Sequence, residues 1–216
     1  MGYVFQQSQL TTPRLAGEIV TPIGIGEQNL LERVLEAFDI RDLAVGEHAR
    51  RMGAVAGLLA ERLGLGRSQA WMIRSASSLH DIGKLTVRAG ILWKPGALDE
   101  AERAEVERHP VAGYQMLRRA DTPVFRLAAT IALTHHERWD GKGYPLGLCA
   151  EEIPLVGRIA AVADVFDALL SVRPYRPALR LNDAADALQD GRGSHFEPAV
   201  IDALFSDLGG ALAVRR

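Results

Sequence analysis

No stretch of this chain alternates apolar and polar residues for long enough to build a sheet, whereas apolar residues recur three and four apart along most of it. That period restricts the fold to helices packed stripe against stripe, so the fold class is all-α. A helix is predicted over 27–38, where Leu30, Leu31, Val34, Leu35 and Phe38 share a face. A second runs over 46–63, with Met52, Val55, Leu58 and Leu59 inside. Gly64 and Gly66 end it, and Ser68 is expected to cap a helix towards Leu79. Asp99 is placed to cap an acidic helix reaching Glu107, and Pro110 lets the chain restart as a helix towards Leu117.

Residues 124–136 and 154–171 read as two further helices, separated by a glycine-rich loop over 138–153. Short helices near 182–188 and 198–205 are expected to complete the chain, and 81–97 reads as an irregular connection. Residues 1–26 have no helical period and read as an extension or linker end. At 216 residues the whole fits a single domain over about 27–210. A net charge of −2 argues against a binder of nucleic-acid polymers. Cys149 is the only cysteine, which excludes an internal disulfide and a cysteine metal cage and fits a cytoplasmic setting. No run reaches the ~18 apolar residues of a membrane span, so no membrane insertion is expected.

The chemistry concentrates in the histidines. Of six, all but His195 lie beside helix ends or carboxylates. His80–Asp81 closes one predicted helix and His135–His136 another, and imidazole with carboxylate is a natural ligand set for a divalent metal. Neighbouring helical residues project about 100° apart, so His135 and His136 are expected to reach different positions of a wide site. Any one histidine at a helix end is more often a cap or a surface group, so His48 or His109 alone means little. Asp164, inside the apolar run from Ile159 to Leu170, is more telling, because a carboxylate there must be paired or bind a cation. Asp167 shares its face and is read as a structural hydrogen-bonding group.

The segment 135–145, His-His-Glu-Arg-Trp-Asp-Gly-Lys-Gly-Tyr-Pro, together with His80-Asp81-Ile82-Gly83-Lys84, strongly resembles the HD-GYP family of bacterial cyclic di-GMP phosphodiesterases. The likeness continues through His109-Pro110, Ile153-Pro154, Arg158-Ile159, 161–164, Arg173-Pro174-Tyr175-Arg176 and 191–196, covering about 40–205. It implies an HD-type helical bundle with two divalent metals, iron or manganese, held by His48, His80, Asp81, His109, His135, His136 and Asp164. Asp81 would bridge the metals and, with Lys84, serve catalysis. Lys84, Gly143, Tyr144, Arg173 and Arg176 would contact substrate. Relatives with three metals carry a glutamate four residues before the match to His48. Ala44 stands there, which favours two.

The resemblance further implies hydrolysis of cyclic di-GMP to pGpG, GMP or both by a metal-activated hydroxide, and contacts between the signature loop and GGDEF proteins. A homodimer through helix 27–38 is one expectation. Two other readings stay open: an HD phosphohydrolase for another cyclic dinucleotide or nucleotide, and a signalling module that binds ligand or partner without turnover. No receiver, PAS or transmembrane segment precedes the domain, leaving a stand-alone enzyme or part of something longer. Trp71 and Trp93 are expected to pack inside, and Trp139 to line the pocket or brace its loop. His195 is expected to hydrogen-bond backbone, Cys149 to be inert, and Arg50–Arg51 to form a solvated helix face.

Overall fold

The computed structural model describes residues 25–41, 43–172 and 177–215. Expectations for most of the 1–26 extension, for Arg173 and Arg176, and for the side chain of Ala44 lie outside this set. The architecture is all-α, with no strand among the described residues beyond isolated bridges at Asp140–Cys149 and Arg192–Phe196. In order the helices are α1 (Ile25–Arg41), α2 (Leu43–Arg62), α3 (Arg67–Ser77), α4 (Ala89–Leu92), α5 (Glu100–Val106) and α6 (His109–Leu117). Then follow α7 (Pro123–Thr134), α8 (Leu155–Leu169), α9 (Leu181–Asp190), α10 (Pro198–Ser206) and α11 (Leu208–Val214).

The long α2 is the spine, because its apolar stripe meets α1, α3 and α8, while α10 and α11 close over its far end. Met52, Val55 and Leu59 of α2 interlock with Ile73 of α3, Ile131 of α7 and Ile159 and Phe166 of α8, all fully buried. Alanines at 128, 132, 160 and 163 let α7 and α8 approach closely without gaps. None of the described helices is long and apolar enough to cross a membrane.

Local signals account for most ends. Asp99 accepts the amide of Glu102 at 2.9 Å and Glu102 accepts that of Asp99 at 2.9 Å, the reciprocal capping box expected from the acidic start of α5. Other expectations need correcting. The cap of α3 is Gly66, whose amide donates to the Gln69 side chain, so Ser68 lies inside the helix. Pro154 caps α8 from outside, and the helix stops at Leu169. α11 was not anticipated, since its Gly209–Gly210 pair reads as a breaker; Asp207 caps it through Gly210. Between α8 and α9 the chain departs and returns at one point, where the Leu179 amide donates to the Leu169 carbonyl at 2.9 Å.

Candidate metal centre

Separate parts of the chain deliver the predicted ligands to one end of the α2–α7–α8 core. His48 stands in the second turn of α2 and Asp164 opposite it on α8. α3 ends in tight turns, with His80 N donating to Ser77 O, before the 3-10 turn Ile82–Thr86. Gly83 presses that turn onto the start of α6: a β-carbon there would run into the His109 carbonyl oxygen and the Gly113 amide nitrogen. His109 is thereby set against Asp81. His135 caps α7 and His136 follows it.

Each ring held by main chain has its Nδ1 committed away from the centre. His80 Nδ1 donates to Ser77 O (3.0 Å), His109 Nδ1 to Val106 O (2.7 Å), and His135 Nδ1 to Ala132 O (3.0 Å) and Ile131 O (3.1 Å). A carbonyl only accepts, so the proton sits on Nδ1 and a neutral ring presents its Nε2 lone pair inward. His48 repeats this with a carboxylate, Nδ1 lying 2.8 Å from Asp167 Oδ2.

Inward, donors and acceptors do not match unless a cation is shared. His109 Nε2 is 3.2 Å and His135 Nε2 3.8 Å from Asp81 Oδ1, while His80 Nε2 is 3.3 Å from Asp81 Oδ2. His80 Nε2 and Asp81 Oδ1 are buried without a hydrogen-bond partner. Two sets of ligand atoms result: His48, His80 and Asp164, and Asp81, His109, His135 and His136, each set lying within 4.8 Å of one another. Asp81 spans them, one oxygen towards each. The orphaned atoms and the nitrogen–oxygen donor set fit divalent cations.

The electrostatics are consistent with that fit. Burial and the neighbouring imidazoles hold His135 well below its ordinary value, and burial pushes His136 down to about 4, so both rings are neutral at pH 7. Burial opposes ionisation of Asp81, but the charge of Lys84, with the contacts of His80 and His109, outweighs it and holds the carboxylate well below its ordinary value. Lys84 Nζ contacts Asp81 Oδ2 at 2.5 Å. Burial likewise opposes charge on His48, yet hydrogen bonds to Asp164 and Asp167 raise its pKa to about 9. Asp164 is lowered despite burial, chiefly through His48 and His80.

The loop after His136 is fixed by Glu137, which the sequence did not single out beyond its place in the motif. Its buried carboxylate accepts the amides of Leu146 (2.7 Å) and Leu148 (3.0 Å). Gly143 passes so close to the preceding turn that a β-carbon would overlap main-chain atoms of Glu137, Arg138 and His136. Tyr144 then donates its amide to His136 O and stacks its ring on the His136 imidazole, centroids 4.8 Å apart. Trp139 braces the loop: its amide donates to His195 O, Asp140 N donates to Ser194 O, and Arg158 lies over its ring at 5.7 Å.

The structure brings together all seven predicted ligand residues, with Lys84, Gly143 and Tyr144 at the same end. His136 departs from expectation by joining the same set as His135. The chain has left the helix at that point, so the 100° separation no longer applies, and the ring centroids are 4.0 Å apart. Asp167 has the structural role read for it, though a richer one. Arg51 is not a solvated group, since its Nε donates to Asp167 Oδ1 at 2.9 Å. A partner three residues beyond His48, matching Asp167 three beyond Asp164, was the available signal; nothing in the sequence pointed to Arg215, which also reaches Asp167. Trp71 and Trp93 are exposed rather than packed inside, at 37% and 50%. His195 stacks on Phe196 and belongs to neither ligand set. Cys149 is a free, exposed thiol that donates to Trp139 O.

The family model described as HD domain matches residues 34–200. The chain is 46% identical over 178 residues to the cyclic di-GMP phosphodiesterase response regulator RpfG of Xanthomonas campestris pv. campestris, which covers 82% of this chain and 47% of that protein. It is 38% identical over 188 residues to the 3'3'-cGAMP-specific phosphodiesterase 2 of Vibrio cholerae, covering 87% and 36%. The chain thus spans about half or less of these curated relatives. Among solved structures, an HDG"Y"P protein of Bdellovibrio bacteriovorus superposes with a TM-score of 0.59 at 20% identity, over 75% of this chain and 51% of that one. That likeness speaks for the fold.

Proposed function

Because this chain belongs to the HD domain family, we propose that it is a metal-dependent phosphodiesterase of the HD-GYP branch, acting on cyclic di-GMP. The observation that carries the reading is Asp81, whose two oxygens face the two sets of imidazole nitrogens while one of them and His80 Nε2 lack protein hydrogen-bond partners. His48, His80 and Asp164 would hold one divalent ion, His109, His135 and His136 a second, with Asp81 shared between them. Iron or manganese suits this nitrogen–oxygen set. Ions so held lower the pKa of water towards ~7 and draw charge from a phosphate oxygen.

The chain's own groups do the rest. Lys84, anchored on Asp81 and partly exposed, is within reach of a phosphate beside the bridging carboxylate and would offset charge accumulating there. Tyr144 and Gly143, fixed over His136, would form one wall of the substrate site, and Arg173 and Arg176 would supply cations for phosphates and guanines. The product is linear pGpG, GMP or both. A cytoplasmic setting, GGDEF partners at the signature loop and a homodimer belong to the same reading.

The relative specific for 3'3'-cGAMP favours a second substrate, cyclic GMP-AMP, at the same site. The deciding experiment is chromatography of products from cyclic di-GMP and cyclic GMP-AMP with protein whose metal content has been measured. Turnover that needs the metal supports the reading. Ligand binding without turnover by metal-replete protein would replace it with the signalling-module alternative.

A further inference from the structure

Asp167 is fully buried yet ionised, and every group that touches it comes from elsewhere in the fold or from the end of its own helix. Its Oδ2 faces His48 Nδ1 (2.8 Å), Arg51 Nη2 (3.2 Å) and Ser171 Oγ (3.2 Å). Its Oδ1 accepts Arg51 Nε (2.9 Å) and Arg215 Nε (2.6 Å). Arg215 also donates Nη2 to the Asp167 carbonyl (3.3 Å) and to Ser171 Oγ (2.7 Å). His48 and Arg51 are three apart on α2, and Asp164 and Asp167 three apart on α8, so two aligned pairs meet across one helix interface. Arg215 follows α11, outside the segment that matches the family, and α11 packs on α2.

We propose that Arg215 is a positioning residue for the metal centre: from the end of α11 it grips Asp167 so that the carboxylate stays turned to His48 Nδ1, leaving His48 Nε2 aimed at Asp164. The geometry explains the division of labour. With Arg215 on Oδ1, Arg51 is held side-on to the carboxylate and Oδ2 remains available to the imidazole. Arg215 also ties the Asp167 main chain and Ser171, which fixes the C-terminal turn of α8, one turn beyond Asp164. Without Arg215, Arg51 alone grips the carboxylate and the ties to the Asp167 main chain and Ser171 are lost, so the carboxylate is freer to turn and the His48 ring loses its fixed orientation. Partners of this kind behind a ligating imidazole typically change metal affinity 10–100-fold. The inference rests on the two-ion reading and concerns only the set made by His48, His80 and Asp164.

The test is titration of the full metal-free chain with Mn(II) alone, free ion being read by paramagnetic resonance. The unaltered protein should show two classes of site, and Asp164→Asn identifies the one containing His48. Arg215→Ala should weaken that class about tenfold or more and leave the other within about twofold. Arg215→Lys, which keeps the charge but not the fork, should fall between and decides the matter if the alanine variant does not fold. Arg62→Ala is the control, because Arg62 holds the start of α11 through Asp207 without touching Asp167; it should leave both classes intact. Equal weakening of both classes, no weakening, or the same loss from Arg62→Ala overturns the role of Arg215. Absence of Mn(II) binding by the unaltered chain removes instead the two-ion reading beneath it.

Discussion

His109 and His135 point their Nε2 atoms at each other across 3.4 Å while each Nδ1 is tied to a main-chain carbonyl. Both nitrogens also face Asp81 Oδ1, at 3.2 and 3.8 Å, an oxygen buried without a hydrogen-bond partner. The three crowded polar atoms form an arrangement that a shared cation would satisfy.

Metal should therefore stabilise the fold measurably. At a free concentration near 100 times its dissociation constant, one ion adds about 2.7 kcal/mol, or about 5–10 °C in Tm for a chain of this size. Calorimetric scans with Mn(II) and with chelator check this. Coincident transitions would remove the metal from the structural account.

Asp81→Ala should abolish hydrolysis of cyclic di-GMP and most metal retention, because both ligand sets lose the same carboxylate. Elemental analysis and product chromatography on one preparation read both effects. Full turnover by this variant would contradict the bridging role.

Metal uptake should release protons. Burial works against the His48 charge, but Asp164 and Asp167 raise its pKa to about 9, so at pH 7 the metal-free ring is protonated and must give up the Nε2 proton to bind an ion. Affinity at that set should rise as pH increases and level off above about 9. His136, lowered to about 4 by burial, and His135, held well below its ordinary value by burial, should release none at pH 7. Binding calorimetry in two buffers of different ionisation enthalpy should give different heats, and His48→Ala should reduce that difference. A buffer-independent heat would contradict it.

Glu137→Gln should loosen the signature loop without removing a ligand. The amide replaces one acceptor by an N–H group facing another N–H, which costs about 1–3 kcal/mol at a buried site. Hydrogen exchange should accelerate at Leu146 and Leu148, Tm should fall by a few degrees, and KM should rise while metal content holds. Unchanged exchange at those amides would assign the loop's fixation elsewhere.

Helix positions and the clustered imidazoles and carboxylates were legible in the sequence for different reasons. The spacing of Met52, Val55 and Leu59 marked α2 because burial repeats with the helical turn, and Asp164 stood out against its apolar run. The ligand set came from ordered motifs, since no local pattern reveals that residues 48, 80, 109, 135 and 164 converge. What escaped was tertiary. Arg51 resembles any surface arginine until α8 is laid beside α2, Arg215 acts across a long separation in sequence, and Trp71 and Trp93 remain exposed although their size favours burial. Glu137 looks like a polar loop residue because its partners are amides, which leave no trace in side-chain chemistry.

The hydrogen bond from Leu179 to Leu169 sets one further property. It ties the end of α8 to the residues just ahead of α9, so the packing of these two helices does not depend on the length of the connection between them. Doubling its length would add only about 0.6 kcal/mol of closure entropy. A chain lengthened between Leu169 and Leu179 should therefore keep α8, with Asp164 and Asp167, in its place beside α2.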